Sequence, residues 1–218
     1  MATTKIKGID ISYHQKAGKV DFAALKKAGY KFVMLRAGYG MYAGQKDSAF
    51  ESHYKAAKAA GLYVGAYHYS YAKSVTEAKR EAACFLEWIK GKKLDYPVAF
   101  DIEDATQKGL TTTQRTQIAL AFMQTVEAAG YYTMLYCNAD WAKNRLNMDA
   151  LKQFDVWLAC YTTEARRKEL YKRDILGIWQ FRSDLQLPEV YNGKLDEDIA
   201  YKDYAKIIKN AGLNHLSE

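Results

Sequence analysis

Three stretches of this chain repeat one design. FAALKKAGYKFVMLRAGYG (22–40), YKAAKAAGLYVGAYHYSYA (54–72) and AFMQTVEAAGYYTMLYCNA (121–139) each read as helix, Ala-Gly, short linker and apolar strand. Helical spacing precedes each glycine (Phe22 and Leu25; Tyr54 and Ala57; Phe122 and Val126), and alternating or continuous apolar runs follow. Gly29, Gly61 and Gly130 stand where a helix ends in a left-handed residue that glycine adopts at least cost. Repeated αβ alternation is usually solved by a parallel sheet with helices outside it.

The pattern yields about eight strands, at 6–12, 32–37, 64–69, 97–103, 133–137, 156–161, 177–181 and 195–199. Eight strands in 218 residues favour a barrel over a doubly wound open sheet, which the pattern also accommodates. The connections 162–176 and 182–194 look short or non-helical, so the expected fold is one irregular, TIM-like β/α barrel with fewer than eight regular helices. No Pro-, Gly- or Ser-rich linker divides the chain, and YKDYAKIIKN (201–210) reads as a closing helix. The expectation is a single catalytic domain over 1–218 with its core at about 6–210, acting as a monomer.

Composition narrows the chemistry. With 49% hydrophobic and 26% charged residues and two prolines, the chain has a globular profile, and no run approaches the roughly 20 apolar residues of a membrane span. MATTKIKGID lacks the apolar core of a signal peptide, although a signal removed beforehand would leave the same start. Cys84, Cys137 and Cys160 lie in apolar contexts and read as buried free thiols. His14, His53, His68 and His215 are scattered, without CxxC or HExxH spacing, so neither a metal nor another cofactor is expected. The net charge of +7 favours anionic partners, but its even spread lacks the dense run expected for nucleic acid.

In a β/α barrel, reactive groups collect at the C-terminal strand ends. Those ends carry Asp10 and Ser12, Arg36, His68 and Tyr69, Asp101 and Glu103, Tyr136, Tyr161, Gln180, and Asp196 and Asp198. In VAFDIED (98–104), Asp101 and Glu103 are two residues apart, so on a strand they share a face about 6.6 Å from each other. Burial and like charge raise at least one pKa of such a pair, which makes a carboxyl a general acid near neutral pH. Glycosidic cleavage needs that acid, with negative charge beside an oxocarbenium-like centre. Aromatic planes suit sugar faces: Trp141 and Tyr161 are candidates, with Asn138 and Gln180 as hydroxyl partners, whereas Trp88 and Trp157 read as core.

At this level of detail the chain resembles the glycoside hydrolase family 25 lysozymes from Gly8 to about Ala200. KGIDISYHQ, GLYVGAYHYSYA, PVAFDIED, VWLACY, IWQFRS and NGKLDED occur in the family's order. The resemblance implies cleavage of the β-1,4 bond between N-acetylmuramic acid and N-acetylglucosamine in peptidoglycan. It makes Glu103 the proton donor, Asp101 its stabilising neighbour, and Asp10 and Asp196 flanking acids. Gln15, Arg36, His68, Tyr69, Tyr136, Asn138, Tyr161, Gln180 and Asp198 would bind substrate. Two local departures are an acid at Asp198, where the family often has Asn, and LQLPEVYN (185–192) in place of a Gly-rich turn. The first leaves Asp196 and Asp198 as alternatives for the last acidic position. The positive charge suits an anionic wall, and the start suits an endolysin released by lysis or by a separate membrane-permeabilising protein.

Rival readings lack their signatures. A chitinase-like D-x-D-x-E strand would need an acid at Ala99, and a non-catalytic sugar-binding barrel would be expected to lose Glu103. GYGMYAG (38–44) has neither G-x-G-x-x-G spacing nor a following GK[ST], and it reads as a flexible rim loop. No G-x-S-x-G elbow supports a serine hydrolase.

Overall fold

Residues 5–173 and 176–216 are described in the computed structural model. Eight strands close into one barrel in chain order: β1 (Ile6–Ile11), β2 (Phe32–Tyr39), β3 (Tyr63–Tyr69), β4 (Val98–Asp101), β5 (Thr133–Asn138), β6 (Asp155–Ala159), β7 (Leu176–Leu187) and β8 (Tyr191–Ala200). Among the described residues there are six α-helices: α1 (Phe22–Lys27), α2 (Phe50–Ala59), α3 (Val75–Ile89), α4 (Thr112–Ala128), α5 (Glu164–Leu170) and α6 (Tyr204–Ala211). None is long and apolar enough to cross a membrane.

The repeated design behaves as expected. Gly29, Gly61 and Gly130 follow α1, α2 and α4 at φ values of +94°, +71° and +87°, where a β-carbon would be strained. Asp21, Ser74, Thr111, Thr163 and Asp203 cap their helices by accepting an N–H of the first turn, each worth about 1 kcal/mol.

Strands β1 to β7 are parallel, and β8 is antiparallel to both β7 and β1. The final strand therefore delivers its early residues, Asp196 and Asp198, to the rim where the other strands end. Residues 182–194, expected as an irregular connection, mostly form the tip of the β7–β8 hairpin. The 162–176 connection carries the short helix α5, and part of it lies outside the described residues. Strand β4 stops at Asp101, so Glu103 stands on the following loop and not on the strand. At the 38–44 rim, Gly38 is a strand residue against Trp88, and Ala43–Gln45 form a capped 3-10 turn.

Alternation along each strand separates two cores. Outward residues such as Ile9, Val33, Val64, Phe100, Leu135 and Leu158 pack under the helices with Phe85, Trp88 and Phe122. Inward residues Phe32, Met34, Ala99, Met134, Trp157 and Ile178 fill the barrel. Gly8 and Gly65 face inward too, because a β-carbon there would run into the Phe32 ring or the Met34 thioether. Helix α6 closes the bottom with Tyr204 and Ile208, and Tyr204 Oη donates to Asp155 Oδ2 at 2.8 Å. Truncating a buried ring such as Phe32 to Ala costs about 3–5 kcal/mol. With the base filled, the barrel interior opens at the opposite rim among the described residues.

Candidate active site

That rim holds a cavity of about 180 Å³ lined by Asp10, Ser12, His14, Arg36, Tyr67, Tyr69, Asp101, Tyr136, Trp157, Tyr161, Gln180 and Asp196. Strand register brings them together: Asp10 pairs with Asp196, Arg36 with Tyr67, and Asp101 with both Tyr69 and Tyr136. Each is the last inward residue of its strand or lies next to it.

Asp101 is buried, and its carboxyl is pushed well above the ordinary range. Burial is the main cause, the Glu103 charge adds to it, and Arg36 opposes it. Glu103, on the loop beyond, lies outside the cavity lining, yet its charge also raises Tyr136 and Tyr161. Burial raises Glu103, whereas Asn138 Nδ2, donating to its Oε2 at 2.8 Å, pulls it back down. Asn138 Oδ1 in turn accepts the Trp141 N–H at 3.0 Å. The sequence expectation made Asn138 a partner for sugar hydroxyls; its amide is instead engaged in holding the carboxylate.

Three further carboxyls meet between β1 and β8. Asp10 is raised by burial and then by the charges of Asp198 and Asp196, and it accepts Gln180 Nε2 at 2.6 Å. Asp198 is fully buried beneath the cavity, raised by burial, and accepts Trp157 Nε1 at 2.7 Å. Burial lifts Asp196 to about 6. Burial and like charge together favour one proton held between Asp10 and Asp198.

Other expected residues divide by position. Arg36 and Tyr69 line the cavity, and Tyr69 Oη donates to Asp104 Oδ2 at 2.9 Å. Tyr136 and Tyr161 also line it, both donating to Gln180 Oε1, at 3.0 and 2.8 Å. Gln15 is a rim residue whose amide is used on backbone, accepting from Ser12 N and donating to the Lys194 carbonyl. His68 is a correction. It faces outward from β3, fully buried among Phe85, Trp88 and Phe122, with Nε2 3.4 Å from Glu81 Oε2. The inward residue beside it, Tyr67, takes the site position; the two-residue period shared with Tyr69 was the available signal. Trp141 likewise belongs to the outer core, while Trp157 floors the cavity. Cys137 and Cys160 are buried free thiols as expected, and Cys84 is partly exposed. The exposed aromatics of the rim are tyrosines, Tyr13, Tyr42, Tyr71 and Tyr161.

A barrel of this topology, with a raised acid beside a cavity rich in carboxylates and tyrosines, is the arrangement that glycoside hydrolases use. The family model for glycosyl hydrolases family 25 matches residues 9–190. The autolytic lysozyme of Clostridium acetobutylicum is 33% identical over 156 residues, covering 72% of this chain and 45% of that protein. Among solved structures, the CTP1L endolysin superposes with a TM-score of 0.79 at 28% identity, over 94% of this chain and 70% of that one. A family 25 lysozyme from Aspergillus fumigatus gives 0.73 at 28% identity, over 95% and 99%. The chain belongs to glycosyl hydrolase family 25. It spans about half the length of the curated relatives it matches, 45% for the clostridial enzyme.

Proposed function

We propose that this chain hydrolyses the β-1,4 bond between N-acetylmuramic acid and N-acetylglucosamine in bacterial peptidoglycan, with Glu103 as general acid. One observation carries the assignment: Glu103 is half-buried at the cavity mouth, raised by burial, and oriented by Asn138 at 2.8 Å. Such a carboxyl retains a proton closer to neutral pH and delivers it along a fixed direction to the leaving oxygen. The lysozyme names of the relatives support the choice of glycan, and the +7 charge supports attraction to an anionic wall.

Asp101 sits deeper, where its carboxylate form opposes positive charge at the anomeric centre and accepts the acetamido N–H of the sugar. An acetamido oxygen so oriented is the internal nucleophile of a substrate-assisted, retaining reaction. Asp10 is poorly suited to act as a base, since burial and the neighbouring Asp198 charge favour its protonated form. Asp196, near 6, is the carboxylate available to activate water if the reaction inverts instead.

Loss of turbidity of purified cell walls tests the assignment. Glu103→Gln preserves size and the Asn138 contact, so lysis should fall by roughly 10²-fold or more with folding retained. Near-normal lysis by a folded Gln variant would overturn it.

A further inference from the structure

A wall hydrolase that acts at muramic acid must distinguish it from glucosamine, and the two N-acetylated sugars differ only in the lactyl ether at C3. We propose that Arg36 makes this distinction, donating to the lactyl carbonyl of the sugar whose acetamido N–H is held by Asp101. The inference rests on the wall-glycan reading above.

Charge is the first ground. Arg36 is the one Lys or Arg among the described residues lining the cavity, and it faces three carboxyl groups there, Asp10, Asp101 and Asp196. A carboxylate entering there meets one cationic donor.

Preorganisation is the second. Arg36 Nε donates to Asp47 Oδ2 at 2.8 Å, and the same oxygen accepts the Tyr13 N–H at 3.0 Å. Asp47 Oδ1 accepts the Ala49 N–H at 2.9 Å, so the anchoring carboxylate is itself held in place. The guanidinium lies 4.7 Å from the Tyr13 ring centroid and 5.6 Å from that of Tyr39. An arginine clamped between rings and tied at one edge loses little freedom when its other edge binds.

The third ground is a matched pair of unmet demands. Arg36 Nη2 is buried without an acceptor from the protein, and Asp101 Oδ1 is buried without a donor. Their charges influence each other, but the two groups do not pair. They project from β2 and β4, two strands and therefore about 10 Å apart at the backbone. N-acetylmuramic acid offers the complementary groups on adjacent carbons, an N–H at C2 and a lactyl carbonyl at C3. N-acetylglucosamine has only a hydroxyl at C3, too short to satisfy the Arg36 edge while its acetamido group stays on Asp101.

NMR titration of the full chain with three disaccharides tests this. They are GlcNAc-β-1,4-MurNAc with a free lactyl carboxylate, the same compound with the lactyl group amidated by L-alanine, and chitobiose. None contains the bond proposed for cleavage. Both muramyl compounds should bind on the order of tenfold tighter than chitobiose, the free carboxylate tightest because its hydrogen bond is between charged groups. Arg36→Met should bring the three affinities within roughly threefold of one another. Arg36→Lys keeps an ion pair to Asp47 but loses the second edge, so the preference should fall there too. An unchanged preference in Arg36→Met, or an equal loss for all three ligands in a variant with normal thermal unfolding, would overturn the proposal. A parent that lyses walls without preferring the muramyl ligands overturns this inference alone. A parent that prefers them but leaves walls and their glycan intact overturns the hydrolase reading alone.

Discussion

The acid at Asp198 has a measurable consequence for stability. Asp198 and Asp10 are both buried on neighbouring strands, and both are raised well above the ordinary carboxyl range by burial and by each other's or Asp196's charge. The folded chain retains a proton there that the unfolded chain releases near the ordinary Asp value of about 3.9. Where the unfolded state binds fewer protons, stability declines as pH rises. This contribution is therefore fully present below about pH 4 and is lost progressively toward the pair's folded titration. One retained proton corresponds to a slope of about 1.4 kcal/mol per pH unit wherever the folded chain holds it and the unfolded chain does not.

Asp198→Asn removes the need for that proton. The amide oxygen can accept the Trp157 indole N–H, now at 2.7 Å, while the amide N–H donates to an ionised Asp10. Asp101 and Glu103 slope the same way in both proteins and cancel in the comparison. The variant should lose about one proton's worth of slope and be the more stable protein at pH 7. Urea unfolding at pH 5, 6 and 7, with equal m values as the check on two-state behaviour, measures the difference. Parallel stability curves would refute the shared-proton account, as would a steeper decline in the variant.

Three further outcomes concern catalysis. Burial, not the Asp101 charge, raises Glu103, so Asp101→Asn should lower activity while leaving the basic limb of the pH–rate profile in place; a limb moved to lower pH would show that Asp101 holds the acid up after all. Asn138→Leu removes the donor that stabilises ionised Glu103, so its basic limb should move to higher pH, and a shift the other way would refute that role. Proton NMR of freshly released product should show the β-anomer first, as substrate-assisted retention requires. Early α-anomer would instead assign water activation, with Asp196 as the candidate base.

Much of the fold was legible because its signals are local. The three glycines that terminate helices are conformational requirements, and each appears in the left-handed region as its sequence context demands. The strand count was legible for the same reason, since every barrel strand has an apolar outward row of its own. The direction of β8 was not. A hairpin strand and a crossover strand carry the same alternation, and only the pairing of β8 with both β1 and β7 makes the difference. Asp196, near the start of the strand expected at 195–199, lies at the rim because β8 runs antiparallel; a parallel strand would have turned it toward the base.

The misplaced site residues share one cause, which is facing rather than identity. In GAYHYSYA the aromatic and polar residues are dense enough for either face to look functional, and histidine draws attention as chemistry. Register decides the matter: Tyr67 pairs with Ala99 inside the barrel, and His68 pairs with Phe100 outside it. A buried histidine against Glu81 and three rings serves the packing of α3 and α4 on the sheet. The same parity argument, applied from Asp101, marks Ala99 as inward and Phe100 and Ile102 as outward, which the strand VAFDI itself displays. Only Glu103 escapes it, because β4 has ended and a side-chain amide, not the pleat, aims its carboxyl. The acid proposed to do the chemistry is thus the one whose direction depends on a single neighbour, and Asn138 is where a small change should alter the reaction most while disturbing the barrel least.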